Sequence, residues 1–491
     1  MLAAGGVPRW HEGSHRLIFE TGGDRKEAVA VVFSMARWPS AAQEGASRRG
    51  LAGFRRGWYG CLGPWADTLF GLTDAVLVTG GPVTSFPRLS LEPVLRRGHG
   101  SAYAALADGG VDAGRLRDLL AAHRPAGWPL VFAVDGTSWP RNDAETSPER
   151  GYYYHPSRHS AGKPIVAGWW YQQVSQLSWD RDSWTWPLDC RRIHPLADQV
   201  TATAGQVRAL LGRLGGTPEV PLFVFDGGYD PIALADALAG DRAQILVRIK
   251  GDRVFYRDPP PRVGGGRGRP RRHGERFDCK QPATWGAPDA EVTGGDDAYG
   301  AITVRAWKRL HPVLAHRGRW AACSRLPIVA GWVIRVDVEH LPRPEGRVKK
   351  TLWLWWSGPA GTDPDLDRCW QAYIHRFDIE HTIKFEKQAL GWVTPSLRLP
   401  GQADRWTAII LAAYAQLVLA RPLAADQRLP WERPRDPAYL TPGRTRRDFP
   451  RLRASLPPVA RPRKPFGPGP GRPKGSRSGP AKRYPTIKKA A

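Results

Sequence analysis

The sequence predicts an α/β protein: a mixed sheet with helices packed on its faces, flanked by a helical N-terminal unit and a basic C-terminal tail. Three observations predict it. Two short apolar runs rich in β-formers, Leu130–Val134 and Pro221–Phe225, each end in aspartate followed by glycine, Asp135-Gly136 and Asp226-Gly227-Gly228. Two longer β-rich stretches, Ile165–Leu177 and Trp184–Ile193, lie between them around the polar turn Asp180-Arg181-Asp182 and read as a hairpin. Apolar residues at helical spacing then alternate with these strands.

In chain order, residues 1–125 carry short helical patterns, Lys26–Arg37 and Asp112–His123, between Gly/Pro breaks. Recurring arginines there (Arg48, Arg49, Arg55, Arg56, Arg96, Arg97) suit either DNA contact or an ordinary charged surface. Residues 126–250 hold the two Asp-terminated strands, the hairpin, a helix over Thr203–Leu214, a short helix over Pro231–Leu238 and a strand over Gln244–Ile249. Residues 251–350 read as a β-rich insertion, opened by the Pro/Gly/Arg-rich stretch Arg257–Arg276 and including strands at Ala301–Trp307 and Gly331–Val338. Over 351–425 come the apolar strand Thr351–Trp356 and a long helix through Leu390, with Asp363 as N-cap and Pro364 at its first position. Trp406–Ala420 is apolar but interrupted by Gln416 and too short to span a bilayer, so it reads as a buried helix.

Charge narrows the function. Lys and Arg outnumber Asp and Glu by 72 to 46, a formal +26 over 491 residues, which favours a polyanionic partner. Residues 426–491 form a basic tail. From Arg444 to Ala491 there are fifteen Lys/Arg and one acid, Asp448, in a Pro/Gly/Ser-rich setting with few core-forming residues, so this stretch is expected to be disordered until it binds. The five cysteines are far apart and form no C-x-x-C pair, which argues against a zinc ribbon or a disulfide framework and suits a reducing cytoplasm. No charged segment followed by an apolar core and cleavage site opens the chain.

The chemistry-bearing residues fall into two sets. Asp135 and Asp226 each end a buried-type strand, where side chains converge in sheets covered by helices, although an aspartate at such a place is often just a turn or cap. On the long helix, Tyr373, Arg376, Glu380, Lys384 and Lys387 follow one another at steps of three and four and share one face. Taken alone, that face could be a solvated ion-pair ladder.

Tyr373, Arg376, Glu380 and Lys387 match the Y-(2)-R-(3)-E-(6)-K signature at all four positions, and in this the chain resembles the DDE transposases of bacterial insertion sequences. The resemblance covers about residues 125–425. It implies a ribonuclease-H-like mixed sheet with helices on both faces, interrupted by a β-rich insertion, and a catalytic, metal-binding triad of Asp135, Asp226 and Glu380. It also implies that Arg376 and Lys387 hold phosphates of the transposon end, that Tyr373 hydrogen-bonds a phosphate nearby, and that the protein works as a homodimer on double-stranded DNA, both transposon ends and target. Lys384, outside the signature, could add a phosphate contact. Such contacts position DNA without reading it. Base flipping onto an aromatic residue is common in this family; Trp139 and Trp392 lie near the motifs, and no residue is assigned.

In-line cleavage of a phosphodiester needs an activated nucleophile, a stabilised leaving oxygen and neutralised phosphate charge, which two divalent ions can supply together. Hard oxygen ligands suit Mg²⁺ or Mn²⁺. The expectation is that Asp135 bridges two ions, that Asp226 and Glu380 each complete one, and that no covalent enzyme intermediate forms. Two further strings, Arg267-Gly268-Arg269-Pro270-Arg271 and Gly471-Arg472-Pro473-Lys474-Gly475, look like AT-hook cores, in which arginine lies along a narrow minor groove; Pro/Gly/Arg-rich linkers also produce such strings by chance. A cytoplasmic, nucleoid-associated bacterial DNA transposase is therefore the expected function. The competing readings are an inactive transposase-derived DNA-binding protein, a metal-dependent nuclease on the same fold, and a carbohydrate-active enzyme, for which a +14 tail has no use.

Overall fold

The structure is a computed structural model that describes residues 41–95, 97–155, 164–180, 182–261, 270–342, 350–461, 474–477 and 479–488. The expected helix Lys26–Arg37, together with Arg96, Arg181, Arg267, Arg269 and Arg472, lies outside the described residues.

Five helices come first: α1 (Ala41–Gly60), α2 (Ala66–Val78), α3 (Phe86–Leu89), α4 (His99–Asp108) and α5 (Ala113–Ala122). Strands β1 (Val131–Pro140), β2 (Gly151–Tyr154), β3 (Ile165–Leu177) and β4 (Thr185–Ile193) follow, then α6 (Gln199–Leu214), β5 (Leu222–Phe225), α7 (Pro231–Ala237) and β6 (Gln244–Ile249). Next are β7 (Val254–Tyr256), β8 (Arg276–Asp278), β9 (Ala290–Asp296), β10 (Gly300–Leu310), β11 (Gly331–Val338) and β12 (Thr351–Ser357). The chain continues through α8 (Leu366–His375), α9 (Phe377–Gln388), α10 (Pro400–Ala420) and α11 (Pro442–Ser455).

One ten-stranded sheet organises the molecule, in the order β2-β3-β1-β5-β6-β12-β11-β10-β9, with β4 also on β3. The β1–β5 and β5–β6 pairs are parallel and the remaining pairs antiparallel, which gives the mixed sheet of a ribonuclease-H-like fold. The apolar runs that nominated β1 and β5 are buried on both faces, as parallel central strands require.

Several expectations need correcting. The expected β-rich insertion extends the main sheet: β9, β10 and β11 continue it beyond β12, and among the described residues β7 and β8 form a small ribbon of their own. That ribbon closes a second apolar cluster with Phe255, Phe277, Trp307, Trp353 and Trp355. The N-terminal helices are not a detached unit either, because α1, α2 and α4 pack on α10 while α5 packs on β4, all within one core. Apolar residues occupy every side of α10, which fits a helix enclosed by neighbours; although long and apolar enough to cross a membrane, it lies mostly buried inside the fold.

The helix expected from Asp363 starts two residues later. Asp365 is the N-cap and accepts a hydrogen bond from the Arg368 N–H at 3.0 Å, and a break at Arg376 divides the helix into α8 and α9. The tail expected to be disordered from Arg444 instead begins as α11. Thr441 caps it, Pro442 occupies its first turn, and Phe449 and Leu452 are buried. Its cations are engaged rather than free: Arg444 meets Asp426 at 2.8 Å, Arg447 meets Glu432 at 2.6 Å and Arg453 meets Asp74 at 2.6 Å. Asp74 also binds the fully buried Arg55 at 2.7 Å, and Arg55 in turn reaches Gln416 on α10. An arginine read as a possible DNA contact thus ties three helices together inside the core.

Candidate active site

Register brings the two aspartates together. Val134 and Phe225 are partners in the parallel β1–β5 pair, so Asp135 and Asp226 follow side by side at the next positions, on strands spaced about 4.8 Å apart. Side chains alternate along each strand, so Asp135 shares a face with Ala133 and Thr137, and Asp226 with Leu222 and Val224, on the same side of the sheet. Asp135 Oδ1 accepts from the Gly136 N–H of the same strand at 2.8 Å, and Asp226 Oδ1 accepts from the Gly228 N–H in the turn after β5 at 2.9 Å, so local backbone donors hold both carboxylates.

The strand does not end at Asp135, as the glycine suggested. β1 runs on to Pro140, paired throughout with β3. Gly136 is required for packing rather than turning, since a Cβ there would stand 2.3 Å from the Trp170 ring. Trp170 in turn stacks on Tyr153 with centroids 5.4 Å apart.

Helix α9 covers the face that carries both aspartates. The Lys387 ammonium donates to Thr137 Oγ1 and to the Ser138 carbonyl, and Gln173, directly opposite Asp135 on β3, reaches Glu386 on α9. One turn before the exposed Lys384, Glu380 lies half-exposed, and its Oε1 accepts from the Arg376 guanidinium at 2.7 Å. Arg376 is buried between the rings of Tyr373 and Phe377, 5.7 and 4.8 Å from their centroids, and its Nε and Nη1 have no hydrogen-bond partner. The buried Tyr373 hydroxyl is likewise unpartnered. Burial raises its pKa, and the nearby charges of Arg376 and Arg248 pull it back down.

Electrostatics link the three acids. Burial pushes the Asp135 carboxyl up to about 7; Arg376 opposes this, while the charges of Asp226 and Glu380 push it further up. A site with that much uncompensated negative charge favours a proton or a cation. The donors are all hard carboxylate oxygens on one face, a chemistry that fits divalent ions such as Mg²⁺. Among the described residues no three His, Cys, Asp or Glu side chains form a ready-made metal cage, and the Glu380 carboxylate is engaged by Arg376.

The remaining nominated residues lie apart. Arg271 and Lys474 are exposed and hydrogen-bond none of the three acids. Trp139 and Trp392 are each 1% exposed, so both belong to the core and neither is free to receive a flipped base; the exposed ring beside Arg376 is Phe377. Arg248 was missed by sequence reasoning. It is exposed on β6, packs against Gly227 and faces Tyr373, and its only signal was its place on the strand beside the one ending in Asp226.

Among curated proteins none matches the chain. Residues 59–312, just over half of it, match the family described as DDE superfamily endonuclease. The match spans Asp135 and Asp226 and stops before the helix that carries Glu380. Enzymes of this family act on DNA and generally use divalent metal ions. With the two aspartates side by side on adjacent parallel strands and the mixed sheet, this match places the chain in the family of DDE superfamily endonucleases.

Proposed function

We propose that the protein is a DNA transposase of the bacterial insertion-sequence type, which hydrolyses phosphodiesters at element ends and joins the freed 3′-hydroxyl to target DNA in the cytoplasm. The observation that carries this reading is the side-by-side placement of Asp135 and Asp226 beneath α9, the helix that bears Glu380. Asp135, Asp226 and Glu380 would hold two Mg²⁺ or Mn²⁺ ions. Bound there, such ions activate the attacking hydroxyl and neutralise charge on the phosphate and leaving oxygen. For Glu380 to join the aspartates its carboxylate must leave Arg376. The guanidinium, already desolvated and with two nitrogens, Nε and Nη1, unpartnered, would then take a phosphate oxygen. The Tyr373 hydroxyl and the Lys384 ammonium add donors, and Lys387, held on β1 by Thr137, sets the height of α9 over the aspartates. Two copies working on paired ends complete the proposal.

The test is cleavage and strand transfer on duplexes carrying the element's ends, with Mg²⁺ or Mn²⁺. Glu380→Gln should abolish both while leaving DNA binding intact, and a Gln variant that still cuts would overturn the triad. Cut ends without a strand-transfer product would make the protein a nuclease. One observation favours a DNA-binding relic instead, namely the capture of Glu380 by Arg376; binding without any nicking would establish that reading.

A further inference from the structure

The described C-terminal residues return to the catalytic sheet. Strand β2 is the outermost strand at its end of the sheet, and Ile487 pairs with Gly151 across its outer edge in parallel fashion. The Ile487 N–H donates to the Arg150 carbonyl at 2.7 Å, and the Tyr484 N–H donates to the Glu145 carbonyl at 2.8 Å. The loop is shaped for this. Arg150 is 3% exposed and spends its guanidinium on three backbone carbonyls, those of Ser147, Arg141 and, at 2.9 Å, Tyr484. A cation bonded to neutral carbonyls keeps its charge. Around it the docked segment presents exposed Lys482, Arg483 and Lys488, of which Arg483 meets Glu145 at 3.1 Å.

Two tyrosines on β2 complete the surface. Tyr152 is 51% and Tyr154 is 68% exposed, and they stand opposite Ala167 and Ile165 on β3. Residues 165, 167 and 173 of β3 share a face by alternation, and Gln173 stands opposite Asp135. Tyr152 and Tyr154 are therefore on the sheet face of Asp135. Along β3 they lie six and eight residues away, roughly 20–26 Å, which corresponds to about 6–8 base pairs of duplex.

We infer that the edge of β2, the docked segment Lys482–Lys488 and the tyrosines Tyr152 and Tyr154 form a second DNA-binding surface. It holds the backbone of the duplex that runs on from the scissile phosphate. The occupant is committed by charge and by position: phenolic hydroxyls on the catalytic face of a DNA-cutting fold, with cations along the adjoining sheet edge, suit phosphate oxygens. This rests on the transposase reading above only in requiring a duplex DNA substrate.

The experiment compares duplexes extended by two or by twelve base pairs on either side of the scissile phosphate, using the full chain with K482A/R483A/K488A or with Y152S/Y154S. All five side chains are exposed, and cutting of the short duplex at the wild-type rate checks that the variants fold. On the long duplex the wild type should bind more tightly than on the short one. The triple variant should lose that gain, with a log–log salt slope shallower by roughly 2–3, and the tyrosine variant should bind the long duplex about tenfold more weakly. Equal affinity of wild type and both variants for the long duplex overturns the inference, as does an equal loss on short and long duplexes. Failure of the wild type to bind or cut any duplex would instead sink the proposed function itself.

Discussion

The Arg376 guanidinium holds the Glu380 carboxylate at 2.7 Å, one helical turn away and across the break between α8 and α9. Arg376 is buried between two aromatic rings, whereas Glu380 is half-exposed, so the arginine is the fixed partner and the glutamate the movable one. An arginine with two unpartnered buried nitrogens is poised for a second anion.

Arg376→Ala should therefore weaken binding to end-sequence duplex by about ten- to a hundredfold, the worth of a hydrogen bond to a charged group. Arg376→Lys should recover part of the loss, because it restores the charge but not the planar fork. Fluorescence anisotropy at fixed salt reads both; an Ala variant that binds as the wild type would remove Arg376 from the DNA interface.

Asp226 acts on Asp135 as a like charge, and burial with that repulsion raises the Asp135 carboxyl from an ordinary 3.8 to about 7. A carboxyl that binds its proton more tightly folded than unfolded stabilises the fold below about 4, and the contribution is lost as pH rises to about 7. Asp226→Asn should shrink this loss, so in EDTA at pH 8 it should be more stable than the wild type by about 1 kcal/mol, or roughly 2 °C in Tm. Added Mg²⁺ should raise the Tm of the wild type and not that of the variant. Equal Mg²⁺ shifts in both proteins would show that Asp226 is not a metal ligand.

How much of this was legible follows from the range of each interaction. The apolar runs leading into Asp135 and Asp226 and the face of α9 were readable because an apolar run and a three-to-four spacing are local patterns. The continuation of β1 past Asp135 was not, since it depends on β3 pairing thirty-odd residues later and on Trp170 filling the space above Gly136. Nor was α11 readable. Its buried apolar side chains are few, and its stability comes from Arg446 capping the Val76 and Gly81 carbonyls and from acids at Asp426 and Glu432, all distant in sequence or hidden in a basic stretch. The merging of the insertion into the main sheet is likewise a matter of long-range pairing, in which β12 bridges β6 and β11.

Glu386 on α9 is fully buried, and burial pushes its carboxyl from 4.5 up to about 8, against a hydrogen bond from Gln173 and the charge of Lys387. Its second oxygen has no partner. The sign again follows from a raised folded-state value: its contribution to stability is present below about 4.5 and is lost as pH rises to about 8. Glu386→Gln keeps the shape and removes the ionisation, so it should be more stable than the wild type above pH 8 by on the order of a few kcal/mol and similar to it at pH 4. Thermal melts at the two pH values decide this; a variant destabilised equally at both would mean that the carboxyl is needed for its own hydrogen bonds.

Removing the tail from different points should separate its two parts. Helix α11 buries Phe449 and Leu452, and Arg446 bonds the Val76 and Gly81 carbonyls at 3.0 Å or less. A chain ending at residue 440 would uncover that apolar surface on α2 and α10, leave Asp74 with Arg55 as its one remaining cation of the pair, and strip the donors from the buried Val76 carbonyl and the half-buried Gly81 carbonyl. Losses of that kind cost several kcal/mol, since large buried side chains are worth about 2–5 kcal/mol each. A chain ending at residue 461 keeps the helix and removes the basic segment beyond it, including the residues that dock on the edge of β2. The first truncation should therefore be poorly soluble or melt well below the wild type. The second should melt only a little below the wild type, having lost the bond from Arg150 to the Tyr484 carbonyl and the Ile487 bridge to Gly151, and should show a shallower salt dependence of DNA binding, because fewer counterions are released. If both truncations melt alike, α11 contributes no stability and the charged stretch from Arg444 onward is a single functional tail after all.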